Sequence, residues 1–225
     1  MLSLNYKKFG GVAFLFDKIS SFITETLIEG NVIKSEERNM YIYCFGTIIE
    51  MSANLLATLM FGVLLHKFIE TLIFMLVFIP LRSFAGGYHC ENAESCFILS
   101  ILVFLTVMLS YKYMYGVSVY WICAICLADL IAIFILSPVI SPNKPLSVKE
   151  KNKNRRISIF LAAFYITAIF VMLYCKIPYA FVVFESINAS VVSMMAGFLK
   201  YKKCQNTAIH CAKATIHTKF DTKFR

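Results

Sequence analysis

Residues 68–111 read FIETLIFMLVFIPLRSFAGGYHCENAESCFILSILVFLTVMLSY, two apolar runs on either side of a polar segment. The runs are Phe68–Leu81 and Phe97–Tyr111, and the segment between them holds arginine, histidine, glutamate and two cysteines. Similar runs recur along the chain, in which 59% of the 225 residues are hydrophobic and 16% are charged. A soluble domain is about a quarter charged. The sequence therefore predicts an all-α, polytopic integral membrane protein, since a membrane β-barrel would show alternating segments of about ten residues.

We predict an N-terminal amphipathic helix and six transmembrane helices in a membrane domain at residues 1–203, followed by a basic, cytosolic tail at 204–225 that we expect to lack a fold of its own. In residues 11–29 apolar side chains recur at helical spacing, with Lys18, Ser21 and Glu25 on the other face. This pattern is typical of a helix that lies on the membrane surface or packs against the helical bundle. The predicted spans are about 40–65, 68–81, 97–111, 117–136, 157–175 and 177–199.

The two spans that flank the polar segment are short. At 1.5 Å per residue they rise about 21–23 Å, whereas the hydrocarbon core of a bilayer is about 30 Å thick. Part of segment 82–96 is therefore expected to enter the membrane boundary or to form a re-entrant turn. Non-helical backbone at that depth is tolerated only where protein or water covers it, so the segment is a candidate lining of a cavity.

Basic residues predict the orientation. Nineteen of the 22 Lys and Arg residues lie in segments 1–39, 82–96, 137–156 and 200–225, and the opposite connections hold Lys67, Lys112 and Lys176. The positive-inside rule then places both termini and the polar segment of this multi-pass membrane protein in the cytosol, and we expect the membrane to be the plasma membrane. The net charge of +9 is accordingly attributed to orientation and anionic lipids, not to nucleic acid.

His89 and Cys96 are the candidate catalytic pair, because an imidazole near a thiol lowers the pKa of that thiol and can protonate a leaving amine. On one continuous helix the seven-residue separation would place them about 10.5 Å apart along the axis, so they can meet only if the chain turns. Gly86 and Gly87 permit such a turn, and Asn92 or Ser95 could cap a following helix that carries Cys96 in its first turn.

Other readings of the same segment remain open. Cys90 is a rival nucleophile, and a metal site built from His89, Glu91, Glu94 and Cys96 would match no usual ligand spacing, so we expect no metal and no cofactor. Arg82 can hold a carboxylate or reach lipid headgroups.

Outside the segment, ionisable groups lie within predicted spans, where they are costly and often functional. For Glu50, Asp129 and Glu185 interhelical hydrogen bonding is the favoured role. The Cys123-x-x-Cys126 pair lies in an apolar span and is expected to serve packing.

The segment LRSFAGGYHCENAESC, Leu81–Cys96, has an Arg-x-x-x-Ala-Gly-Gly-x-His core and a cysteine seven residues after the histidine. In this it resembles the accessory gene regulator B (AgrB) family, quorum-sensing membrane endopeptidases of Gram-positive bacteria. The proline-rich basic loop at 137–156, the chain length and the amphipathic start are similar too, so the resemblance covers most of residues 1–200. Cys90 departs from the pattern and leaves a second thiol beside the histidine.

The resemblance implies a cysteine endopeptidase that acts on a propeptide at the inner membrane face. Cys96 would attack the carbonyl that ends the signal segment, with His89 as general base and then acid, and the acyl-thioester would lead to a cyclic thiolactone or lactone autoinducing peptide. It also implies a homodimer in contact with membrane lipids, with no nucleic-acid partner.

The same resemblance implies roles for residues around the catalytic pair. Arg82, Gly86 and Gly87 would bind substrate or support the site. Lys144, Lys149 and Lys151 would attract the acidic part of the precursor, although lipid headgroups explain the basic loop equally well. Two alternatives from other classes are a small transporter that uses Glu50, Asp129 and Glu185, and a non-catalytic membrane partner.

Overall fold

A computed structural model describes the backbone of residues 12–88, 93–139 and 147–221, and the side chains among them at 15–88, 94–139 and 147–202. Helices dominate these residues, and no β-strand occurs among them. The helices are α1 Val12–Glu29, α2 Arg38–Leu64, α3 Phe68–Ala85, α4 Ala93–Ser110, α5 Val119–Leu136, α6 Val148–Tyr174 and α7 Ala180–Asp221, with 3-10 turns at Ser35–Glu37 and Tyr111–Gly116.

Within this described part, six helices are long and apolar enough to cross a membrane, namely α2 to α7. The predicted all-α membrane fold, with six spans and an additional N-terminal helix, is confirmed. The division of the chain at residue 203 stays a prediction, and α7 continues across it as far as Asp221.

Before α7, three helix ends differ from the predicted bounds by four residues or more. Helix α3 extends four residues beyond Leu81, α4 begins four residues before Phe97, and α6 begins nine residues before Ile157. The prediction ended each span at its first polar residues, yet arginine, glutamate and lysine are good helix formers. At the start of α6, Ser147 and Glu150 form a capping box that stabilises the charged first turns. The short spans are therefore longer than hydropathy indicates.

The chain divides into two compact units, the first comprising the described parts of 1–71 and 90–106. In this unit α1 packs against α2. Ser20 and Thr24 of α1 are fully buried, and their hydroxyls donate to main-chain carbonyls of α1 itself. Small side chains of this kind let two helices approach closely. Glu25 accepts from Nε of Arg38 at 2.8 Å, which ties α1 to the start of α2.

The second unit comprises the described parts of 72–89 and 107–225. Its apolar core joins α3, α5, α6 and α7. On α3 the core residues Val77, Leu81 and Ala85 are four positions apart, so they form one face that leads directly to the polar segment. The other core residues are Ile122, Cys126, Ile133, Ala162, Tyr165, Ile169, Val183, Phe184, Ile187, Val191 and Met194.

Pro80 lies inside α3, two residues before Arg82. Because proline has no N–H, it cannot bond the carbonyl of Leu76 one turn earlier. The hydroxyl of Tyr165, on α6, donates to that same carbonyl at 2.7 Å. Tyr165 therefore supplies the hydrogen bond that Pro80 omits and fixes α3 against α6 just before the polar segment.

Replacing Tyr165 by Phe should destabilise the protein by about 1–2 kcal/mol, because it leaves the Leu76 carbonyl without a donor. The midpoint of thermal unfolding in detergent should fall by several degrees. Tyr174→Phe on the same helix is the matched control, since Tyr174 is 89% exposed.

Pro80→Ala gives a sharper check, because the restored N–H can bond the Leu76 carbonyl. In the Pro80→Ala variant, Tyr165→Phe should lower the free energy of unfolding much less than it does in the wild type. An equal loss in both backgrounds would contradict this pairing.

Candidate active site

Gly86 ends α3 and turns the chain. Its φ of 77° lies in the left-handed region, which glycine adopts at little cost, and its N–H donates to the Arg82 carbonyl at 3.0 Å. Val139 donates its N–H to the Ala85 carbonyl at 2.9 Å, and a side chain at position 86 would collide with the Val139 carbonyl. The turn expected at Gly86 is confirmed, and the segment after α5 closes over it.

Arg82 holds the chain that follows this turn. Its guanidinium donates to the hydroxyl of Ser193 on α7 and to the main-chain carbonyl of Tyr88. The Tyr88 N–H donates in return to the Ser193 carbonyl at 2.9 Å. A Cβ at position 87 would collide with the guanidinium. Glycine is therefore needed here because no side chain would fit, and not because of its φ angle. These contacts favour structural support as the role of Arg82.

Gly197, one turn beyond Ser193 on α7, lies directly under the same segment. A Cβ there would lie 2.6 Å from the carbonyl carbon of Gly87 and 2.7 Å from the amide nitrogen of Tyr88. Lys200 extends the contact, with its ammonium 4.8 Å from the centre of the Tyr88 ring. We call Arg82, Gly87, Tyr88, Ser193 and Gly197 the Arg82 clasp. It fixes the backbone immediately before His89.

Ser193 and Gly197 were not among the residues predicted from the sequence. The signal that could have found them is the spacing of small residues on α7, where Ser186, Ser190, Ser193 and Gly197 follow one another at three- or four-residue intervals. Ser186 and Ser190 are buried. Such a row permits close backbone approach in membrane helices, but the sequence does not show which segment approaches it.

Cys96 is the fourth residue of α4, so it lies in the first turn, as expected. Its side chain is partly exposed and lies near the Glu50 carboxyl of α2. The Ser100 hydroxyl donates to the Cys96 carbonyl at 2.9 Å. The N-terminal position favours a thiolate through the helix macrodipole. Ser95 lies within the helix and is not its cap.

His89, with Cys90, Glu91 and Asn92, lies outside the described residues, and so does Lys144. The His89–Cys96 pair therefore stays a prediction. The other two predicted lysines, Lys149 and Lys151, are exposed near the start of α6.

The ionisable residues within the spans have different surroundings. Glu185 accepts from the Ser110 hydroxyl at 3.2 Å, so it bonds across helices as expected. Asp129 is 6% exposed, and its Oδ2 has no hydrogen-bond partner within the described part of the chain. Cys123 is exposed and Cys126 buried, both as free thiols, which agrees with packing as the role of that pair.

Comparison with known proteins supports the resemblance. The model of the family described as Accessory gene regulator B matches residues 17–199. A putative AgrB-like protein of Lactiplantibacillus plantarum is 29% identical over 130 residues, 56% of this chain and 65% of that relative, slightly less than two thirds of its length. A putative AgrB-like protein of Clostridium perfringens is 21% identical over 79% of this chain and 86% of its own length.

The accessory gene regulator protein B of Staphylococcus aureus is 25% identical over 107 residues, which is 48% of this chain and 57% of that protein. No solved structure matches the chain.

Gly197→Ala should disrupt the Arg82 clasp, because the added methyl group must displace main-chain atoms of Gly87 and Tyr88. Overpacking of this kind costs about 1–3 kcal/mol, so the unfolding midpoint should fall by several degrees. Gly116→Ala is the matched control, since a Cβ there meets nothing within 4 Å. Equal midpoints for the two variants would show that α7 does not pack on the clasp as described.

Proposed function

The chain belongs to the accessory gene regulator B family, and on that premise we propose that it is a membrane cysteine endopeptidase that matures a quorum-sensing propeptide. Family membership supports a role in the processing of a quorum-sensing peptide. The observation that carries the finer proposal is the position of Cys96: a partly exposed thiol in the first turn of α4, within the matched range. That setting suits a nucleophile better than it suits a packed core cysteine.

The proposed reaction has two transfers of the same acyl group. Cys96 attacks the carbonyl that ends the signal segment, and its proton passes to His89. His89 then protonates the amine of the C-terminal fragment, which leaves, and the signal segment stays on Cys96 as a thioester. An internal cysteine or serine of the segment next attacks that thioester, closes the thiolactone or lactone ring and returns a proton to the Cys96 sulfur. Exclusion of water from the site favours ring closure over hydrolysis.

Surrounding residues have supporting roles in this proposal. The Arg82 clasp places the main chain before His89, and the turn at Gly86 directs the chain away from α3. We also propose that the site faces the cytosol of a plasma-membrane protein that acts as a homodimer. The basic residues Lys144, Lys149 and Lys151 would attract the acidic part of the precursor by charge.

Co-expression with a candidate precursor tests the nucleophile. Cys96→Ser should abolish release of the C-terminal fragment on an immunoblot, and His89→Ala should reduce it by about 10²–10⁴-fold. Cys90→Ala is the matched thiol control and should retain cleavage. Cleavage by Cys96→Ser would exclude this mechanism. Loss with Cys90→Ala alone would assign the reaction to the other thiol.

The basic residues can be tested apart from lipid effects in phosphatidylcholine nanodiscs, which have no net lipid charge. The double variant Lys149→Gln, Lys151→Gln should raise KM for an acidic precursor by about 3–10-fold and leave kcat unchanged. Lys112→Gln, on the predicted opposite side, is the control. An unchanged KM in these nanodiscs would show that the two lysines do not bind the precursor.

A further inference from the structure

Helix α1 packs along α2 as one arm of a helical hairpin, and a connection at 30–37 joins the two helices. They touch at two levels. Glu25 accepts from Nε of Arg38 at 2.8 Å, and a Cβ at Gly46 would lie 3.8 Å from Oγ of Ser20. A step toward the start of α1 therefore matches a step toward the interior of α2, about 12 Å along its axis from Arg38 to Gly46. The two helices run antiparallel.

The exposed apolar side chains of α1 lie on the side away from α2. Ser20 and Thr24 are fully buried and form the face that meets α2. Leu15, Ile19 and Phe22, at helical spacing, are exposed, and at 3.6 residues per turn they lie about 150° around the helix from the buried pair. A helix that lay flat on the bilayer with this apolar face down would hold α2 above it, outside the membrane. Since α2 is a candidate span, its packing excludes that orientation.

The antiparallel packing also indicates what surrounds the apolar face. Leu15 lies five residues before Ser20 and Met51 five residues after Gly46, so Leu15 and Met51 are at about the same level. Met51 is 61% exposed within a candidate span, where the solvent is lipid hydrocarbon. Leu15 therefore shares that environment. Phe22 is seven residues further along α1, about 10 Å nearer the level at which α2 begins.

We propose that the N-terminal half of α1 enters the bilayer beside α2 and that its face of Leu15, Ile19 and Phe22 contacts lipid acyl chains, with Leu15 the deepest. Helix α1 is not one of the six candidate spans. Lys18 and Glu25 lie on a third side, from which long side chains can reach the headgroup region. This lipid contact is independent of the proposed cleavage reaction.

Depth-dependent quenching of tryptophan fluorescence tests the proposal. Trp121, which is the one tryptophan of the chain, is first replaced by Phe, and a new tryptophan is placed at Leu15 or at Phe22. Each protein is reconstituted with phosphatidylcholine brominated either near the headgroup end or near the middle of its acyl chains. Leu15→Trp should be quenched more by the mid-chain bromine and Phe22→Trp more by the shallow bromine. The ratio of the two quenching efficiencies should differ about twofold or more between the variants, because a depth difference of about 10 Å is a third of the hydrocarbon core.

Val148→Trp is the control for an exposed site outside the bilayer, since Val148 is 76% exposed at the charged start of α6, and neither lipid should quench it. Equal depth profiles at residues 15 and 22 would indicate a helix flat on the surface and would overturn the proposal. Protection of both tryptophans from both lipids would overturn it too, because a second copy of the chain or another protein would then cover this face.

A change at Gly46 tests whether α2 holds α1 at this depth. Alanine there makes an ordinary contact with Ser20, so Gly46→Ala should leave the profile of Leu15→Trp unchanged. Gly46→Leu adds three further carbons where Ser20 packs and should separate the helices, so the same tryptophan should move toward the shallow bromine. An unchanged profile in Gly46→Leu would contradict insertion through packing on α2.

Discussion

A chain that leaves a helix at the membrane boundary must find partners for each main-chain N–H and C=O that it exposes there. In this protein that requirement falls on residues 85–88. Val139 donates to the Ala85 carbonyl, Arg82 donates to the Tyr88 carbonyl, and the Ser193 carbonyl accepts from the Tyr88 N–H. The same requirement explains the glycines that end α3 and the small residues of α7. Without side chains in the way, the main chains can approach closely enough to form these hydrogen bonds. The proposed site depends on this satisfied, non-helical stretch.

The same principle operates earlier in α3. Pro80 leaves a carbonyl without its helical donor, and Tyr165 on α6 supplies one. Groups from other segments thus complete the main-chain bonding of α3 on both sides of Arg82: the Tyr165 hydroxyl before it and the Val139 N–H after it. A polar side chain inside the bilayer is retained where a specific partner faces it, which links the fold to the chemistry that we propose.

The sequence predicts the six spans because hydropathy reports contact with lipid directly. It predicts the turn at Gly86 and the position of Cys96 in a first helical turn because both depend on local backbone preferences. It does not predict that Arg82 bonds Ser193, since that contact joins residues far apart in the chain. Helix ends are misplaced where polar residues continue a helix, as in 82–85 and 148–156.

The central claim is that Cys96 carries the signal segment as a thioester, and the most direct measurement is mass spectrometry of the trapped adduct. A precursor whose ring-closing cysteine or serine is replaced by alanine cannot cyclise, so the acyl-enzyme should accumulate. We predict an added mass equal to the N-terminal segment on the peptide that contains Cys96, removed by neutral hydroxylamine. An adduct on Cys90, or cleavage of the precursor with no adduct on Cys96, would contradict the account.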